Sequence, residues 1–93
     1  MHIQHKKVNE KGMFYIQEDG DIVAELVYSE PAPNRMVIEH TEVDDQLRGE
    51  NVGYELVHQA VEYARSHHYS IVPVCPFARK IFEKKPDFRD VLA

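Results

Sequence analysis

The sequence predicts an α/β fold of the α+β kind: an antiparallel β-meander, one strand added in parallel, and two main helices. Three observations predict it. Up to Val43, apolar and polar side chains alternate between turn signals, the period of a half-buried strand. From Gly53 the apolar residues recur at helical spacing instead. A strand, a helix and a second strand then follow one another as a βαβ unit, so the last strand should run parallel to the fourth, with a right-handed crossover.

The elements follow in order. Ile3 to Val8 reads as a first strand that turns at Asn9-Glu10-Lys11-Gly12. Phe14 to Gln17 and Ile22 to Tyr28 flank Glu18-Asp19-Gly20-Asp21, whose Asp-Gly pair signals a hairpin. Pro31-Ala32-Pro33-Asn34 breaks the chain, and Arg35 to Val43 forms the fourth strand. Strict alternation puts Met36, Ile38, His40 and Glu42 on one face, with Val37, Glu39, Thr41 and Val43 on the other. In the helix, Gly53, Leu56, Val57, Ala60, Val61 and Ala64 make the apolar stripe, and the end falls near Ser66-His67-His68. Ser70 to Val74 is a short strand. Pro73 cannot donate to a ladder, so this strand lies at an edge or splays from its neighbour. Pro76 suits the first position of a final helix, Phe77 to Lys85, which Pro86 stops.

Ninety-three residues make a single domain with no repeat or linker. The chain is 43% hydrophobic and 29% charged, an ordinary globular balance. It has no apolar run near the ~20 residues of a membrane helix, and Met1 to Lys7 lacks the apolar region of a leader, so the expected compartment is the cytoplasm. One cysteine, Cys75, excludes an internal disulfide and agrees with a reducing setting. A formal charge of −5 argues against nucleic acid as a partner and is compatible with a cationic one, such as an amine. None of the six histidines shows metal-ligand spacing, and no second cysteine is present, so no metal site is expected.

The most informative stretch runs from Val37 to Gly53. A strand leads into a charged turn and then a helix start, the geometry that holds phosphate with main-chain N–H groups. A helix start leaves about four amides without partners and carries about half a positive charge. Gly49 and Gly53 lack Cβ, so a diphosphate can approach their backbone; Asn51 tolerates left-handed geometry, and Arg48 adds a fixed charge. Asp44 and Asp45 read as surface turn residues, since their charge repels phosphate.

Order and motif together resemble the GNAT superfamily of N-acetyltransferases. Its Q/R-x-x-G-x-G/A motif aligns with Arg48-Gly49-Glu50-Asn51-Val52-Gly53, with Asn51 in place of the middle glycine. Ala78 to Phe88 is similar to the family's A-x-x-[hydrophobic]-Y-E-K-x-G-F ending. The likeness covers Met36 to Phe88. The short length, with Glu39 to Val43 and Val74 to Phe77, resembles the compact GNAT-related subfamily of about a hundred residues. The resemblance implies acetyl-CoA as co-substrate and transfer of acetyl to a primary amine. It implies CoA contacts at Val43, at Arg48, Gly49, Glu50, Asn51, Val52 and Gly53, and at Cys75; Arg79 and Lys80 on the last helix are basic candidates for a CoA phosphate or solvated surface charges. Two positions depart from the family. Phe82 stands where many members place the tyrosine that protonates the leaving thiolate, and Cys75 stands where a CoA-contacting asparagine is common.

Cys75 falls at the N-cap of the last helix, where the helix favours a thiolate. It is a candidate nucleophile, a candidate proton donor to departing CoA, or a packing residue. His40 and Glu42 are the candidate bases for an ammonium acceptor, with Glu39 on the opposite face. The expected mechanism is direct attack by the amine, with the carbonyl polarised by a backbone N–H near Val43. The resemblance implies that helices between the first two strands shape the acceptor site; here Asn9 to Gly12 leaves only a turn, so the acceptor side should be open, which suits a protein lysine or N-terminus. Two rivals are an acyl-CoA binder without turnover and an interaction module with a vestigial cradle. The expected state is a monomer or a weak dimer.

Overall fold

The computed structural model describes residues 2–93. The chain runs β1 (Gln4–Val8), β2 (Lys11–Glu18), β3 (Asp21–Ala32), β4 (Arg35–Val43), α1 (Val52–His67), β5 (Ser70–Pro73) and α2 (Pro76–Lys84), with 3-10 turns at Asp45–Leu47 and Pro86–Val91. The strands form one sheet in the order β1-β2-β3-β4-β5. All neighbours are antiparallel except β4 and β5, which run parallel. The meander, the added parallel strand and the two α-helices are those expected.

The strands exceed their sequence-based bounds because the turns are tighter. Asn9, Asp19 and Asn34 adopt φ of 56°, 51° and 63°, and Gly20 follows at 88°. These left-handed residues let two-residue loops join the ladders, so Lys11 and Gly12 belong to β2 rather than to a turn. Both helices lie close to expectation, and α1 starts one residue earlier, at Val52. The turn over Pro86–Val91 has no counterpart in the sequence reading. It stacks Phe88 on Tyr54 at 5.8 Å, and Arg65 ties it down through Asp90 at 2.9 and 3.0 Å.

Leu26, Tyr28, Met36, Ile38 and Ile71 are fully buried from the sheet side, and Leu56, Val57, Ala60, Val61 and Ala64 from α1. They share one core cluster. Truncating one such leucine to alanine costs about 2–5 kcal/mol, much of the stability of a domain this size.

One irregularity decides where side chains point. Tyr28 pairs with Ile38 and Val27 pairs with His40, so Glu39 is an extra residue, a β-bulge. Beyond it the alternation of β4 is inverted. Thr41 lies opposite Leu26 and Val43 opposite Ala24, both on the helix-covered face, whereas His40 and Glu42 lie opposite Val27 and Glu25 on the open face. The expectation that His40 and Glu42 share the face of Met36 and Ile38 is therefore corrected. Glu39 also reaches the open face, where its carboxylate accepts from Lys11 Nζ at 2.7 Å and Ser29 Oγ at 2.8 Å. It does not oppose His40.

At the other end of the core, His5 latches β1 to the layer beneath. Its Nε2 lies 2.6 Å from the Tyr28 hydroxyl, its ring stacks on Phe14 at 4.2 Å, and Tyr63 meets it edge-on at 4.8 Å. Burial lowers the His5 pKa, Lys7 and His67 lower it further, and Glu30 opposes them. A folded-state pKa below the ordinary 6.5 means that the folded chain binds fewer protons than the unfolded one. The contribution is whole above that value and lost as pH falls through the folded pKa. The melting temperature should therefore fall as the pH drops below about 6.5. His5→Phe should melt lower at neutral pH and show a flatter decline over that acidic range; an equal slope in both proteins would remove His5 as the titrating group.

Candidate active site

The sheet opens where β5 leaves β4. Their pairing ends at Ile38 and Pro73, after which the amides of Val74 and Cys75 both donate to the Ile38 carbonyl at 3.0 Å. β4 continues to Val43 with no β5 partner beside it. Asp44 N–H donates to the Val23 carbonyl of β3, so by strand alternation the amides of Val43 and Thr41 point away from β3 into the gap. Pro73, with no N–H to give, stands where the two strands separate.

Below the gap lies a cavity of about 370 Å³, lined by Thr41, Val43, Leu47, Arg48, Gly49, Asn51, Val52, Gly53 and Phe77. Its floor is the start of α1. Asn51 is the N-cap in left-handed geometry and makes no side-chain capping bond. The helix ladder begins with Glu55 N–H donating to the Asn51 carbonyl at 3.1 Å, which leaves the amides of Val52, Gly53 and Tyr54 without helical acceptors. Gly49, at φ 86°, turns the chain into this start. An uncapped helix end beside two left-handed residues is an anion cradle. Arg48 flanks it, three-quarters exposed, with its Nε 3.1 Å from Asp45 Oδ1.

Cys75 lies behind Thr41, outside that lining. It is 6% exposed and precedes Pro76 at the first turn of α2. As a thiol, its Sγ–H donates to Thr41 Oγ1 at 3.5 Å. Burial pushes the thiol pKa up, but the Thr41 hydroxyl and the amides of Ala78, Phe77 and Thr41 outweigh it and hold the pKa below the ordinary value. The thiol thus faces the bare stretch of β4 and the N-terminus of α2 together. Phe82, by contrast, is 3% exposed and packs against Phe88 at 6.1 Å, so it belongs to the core.

The structure gathers Val43, Arg48, Gly49, Asn51, Val52 and Gly53 around one cavity, with Cys75 joined to it through Thr41. Glu50 borders neighbouring surface grooves instead. Arg79 lies outside the lining and donates from Nη2 to the Val74 carbonyl at 3.0 Å. His40 and Glu42 are exposed on the other side of the sheet, where His40 Nε2 lies 3.5 Å from Glu25 Oε2. Glu25 and Glu42 stand directly opposite one another across the ladder, a like-charge pair that costs stability. Sequence reasoning missed Thr41, Leu47, Phe77 and Glu25. Thr41 and Glu25 were beyond it because the bulge sets their faces; the exposed aromatic just past Cys75-Pro76 was a signal for Phe77. Among the described residues no group of three or more His, Cys, Asp or Glu is placed to hold a metal ion, and no helix is long and apolar enough to cross a membrane.

The fold sets a splayed parallel strand pair above the uncapped start of α1, and the comparisons show which family shares it. Residues 13–91 match the GCN5-related N-acetyl-transferase family. A GCN5-like protein from Staphylococcus aureus, known from its solution structure, is 34% identical with a TM-score of 0.76, over 97% of this chain and 87% of that one. The chain belongs to the GCN5-related N-acetyltransferase family. Its fold also recurs in the ribosomal-protein-alanine N-acetyltransferase of Brucella melitensis, at 20% identity and TM-score 0.65, over 81% of this chain and 62% of that one. It recurs in a Bacillus anthracis structure solved in complex with acetyl coenzyme A, at 23% identity and TM-score 0.62, over 83% of this chain and 47% of that one. The chain thus spans about half to three-fifths of those two proteins. No curated protein matches it.

Proposed function

We propose that this protein transfers the acetyl group of acetyl-CoA to a primary amine on a large acceptor, such as a protein lysine or N-terminus. The observation that carries the reading is the cradle at the start of α1, placed in one cavity with the bare edge of β4. The amides of Val52, Gly53 and Tyr54, with Arg48 beside them, would take the diphosphate. The pantetheine arm would then run along Thr41 and Val43, where an amide of β4 polarises the thioester carbonyl. The acceptor amine would enter the β4/β5 gap from the open face, which carries no helix in this chain. His40 or Glu42 there would take its proton, directly or through water. Glu25 joins this group as the carboxylate beside His40.

The amine attacks the thioester carbon, the C–S bond breaks, and the departing thiolate takes a proton from the Cys75 thiol or from water. No residue is acetylated in this route. The cytoplasm, where acetyl-CoA and reduced thiols coexist, is the compartment that suits it.

A second reading, acyl-CoA binding without turnover, rests on Phe82, whose ring sits in the core and offers no acid. One experiment separates the two. Incubation with labelled acetyl-CoA and a panel of peptides and polyamines should move label to an amine, leave no acetyl on Cys75, and slow several-fold in Cys75→Ala. Retained label on Cys75 would establish a covalent route. Intact acetyl-CoA bound with no product in any mixture would leave the binder.

A further inference from the structure

We infer that Phe77 is a positioning residue that walls the pantetheine arm of CoA between the cradle and Cys75, and that Gly53 is a glycine in order to seat its ring. The inference rests on the acetyl-CoA reading above and names a residue which that reading leaves idle.

Gly53 presents a puzzle. Only Gly20 and Gly49 among the glycines have positive φ, so Gly53 has ordinary helical backbone and no conformational need to lack a side chain. Glycine is a poorer helix former than alanine. A steric reason must therefore exist, and the structure supplies one. A Cβ at Gly53 would stand 2.5 Å from Phe77 Cζ and 2.8 Å from Cε2. The tip of the ring lies against the first turn of α1, so a protein contact joins the close approach of a diphosphate as a reason for this glycine. The family motif admits alanine here; in this chain an alanine Cβ would push the ring from its seat.

The ring is also costly where it stands. Phe77 is 41% exposed, one of few large apolar side chains so open, and it borders the cavity. It follows Cys75 by two residues, so one short segment carries both the thiol and the ring. The ring thus meets the cradle at Gly53, while its own segment begins at the thiol of Cys75. The gem-dimethyl and methylene groups of an arm laid along it would cover exposed ring surface and be stabilised by that burial. Phosphate needs no such partner. Phe77 therefore serves the arm and not the nucleotide.

Calorimetry with two ligands tests this: CoA, and ADP carrying CoA's ribose phosphate, which keeps the cradle groups and lacks the arm. The ring is the mobile end of a side chain, so Gly53→Ala should displace it without unfolding the protein. Phe77→Ala, Gly53→Ala and the double variant should each lose about five- to tenfold in CoA affinity, about 1–1.4 kcal/mol, with no further loss in the double variant. Phe77→Ala, which leaves every cradle residue in place, should bind the ADP half within about twofold of the parent. Equal losses for both ligands, or additive losses in the double variant, would overturn the assignment and return Gly53 to the diphosphate. If the parent protein binds the ADP half but not CoA, the arm has no place in this cavity and the inference falls alone. If it binds neither, the acetyl-CoA reading falls with it.

Discussion

Changing His40 to glutamine is expected to lower the acetyl-transfer rate by about 10²-fold while leaving CoA affinity within about twofold. Glutamine keeps a hydrogen-bonding group near Glu25, 3.5 Å from His40 Nε2, but cannot carry a proton away from an ammonium acceptor. The separation of effects follows from the fold. His40 lies on the open face and the cradle on the other, with the sheet between them. The bulge at Glu39 is what turns His40 outward, so the prediction is also a test of the bulge. A rate within threefold of the parent, read by steady-state kinetics with a saturating peptide acceptor, would reduce His40 to a surface partner of Glu25. Glu42→Gln would then be the next variant to measure.

Gly49→Val is expected to weaken CoA binding at least tenfold, about 1.4 kcal/mol. The mechanism is conformational and not steric. No heavy atom lies within 4 Å of a Cβ built at Gly49, yet its φ is 86°. A β-branched residue held there stores about 1–3 kcal/mol of strain, which the exposed loop relieves by moving. The turn that aims the amides of α1 moves with it. Gly49→Asn provides the control, because asparagine tolerates the left-handed region and should retain most of the affinity. Thermal melts of both variants should stay close to the parent, since Gly49 is exposed and touches no core residue. Equal affinity for Gly49→Val and the parent would show that the loop does not shape the cradle.

The sequence was most informative where period and turn chemistry agree. The Asp19-Gly20 hairpin, the stripe from Leu56 to Ala64, Pro76 at the start of α2 and the splay at Pro73 are each written in a few residues whose physics allows little else. The turn that lines the cavity was legible for the same reason: Arg48, Gly49, Asn51 and Gly53 lie between a strand and a helix. The bulge was not. Glu39 is one added residue in a strand of otherwise regular alternation, and its effect, turning Thr41 inward and His40 outward, depends on pairing with β3. The contact between Phe77 and Gly53 joins residues far apart in the chain and leaves no periodic trace. Nor did the strands signal the Pro86–Val91 turn, which is held by Arg65 and Phe88 and not by a repeat of its own.

The site itself is tested most directly by titrating the protein with CoA and following every backbone amide by NMR. The largest shifts should fall at Gly49, Asn51, Val52, Gly53 and Tyr54, where free N–H groups meet phosphate, with smaller ones at Thr41, Val43 and Cys75 along the arm. The amides around His5, Tyr28 and Tyr63, at the other end of α1, should barely move. Shifts centred on that distant cluster, or no shift at all with CoA in large excess, would contradict the placement of the cofactor at the start of α1.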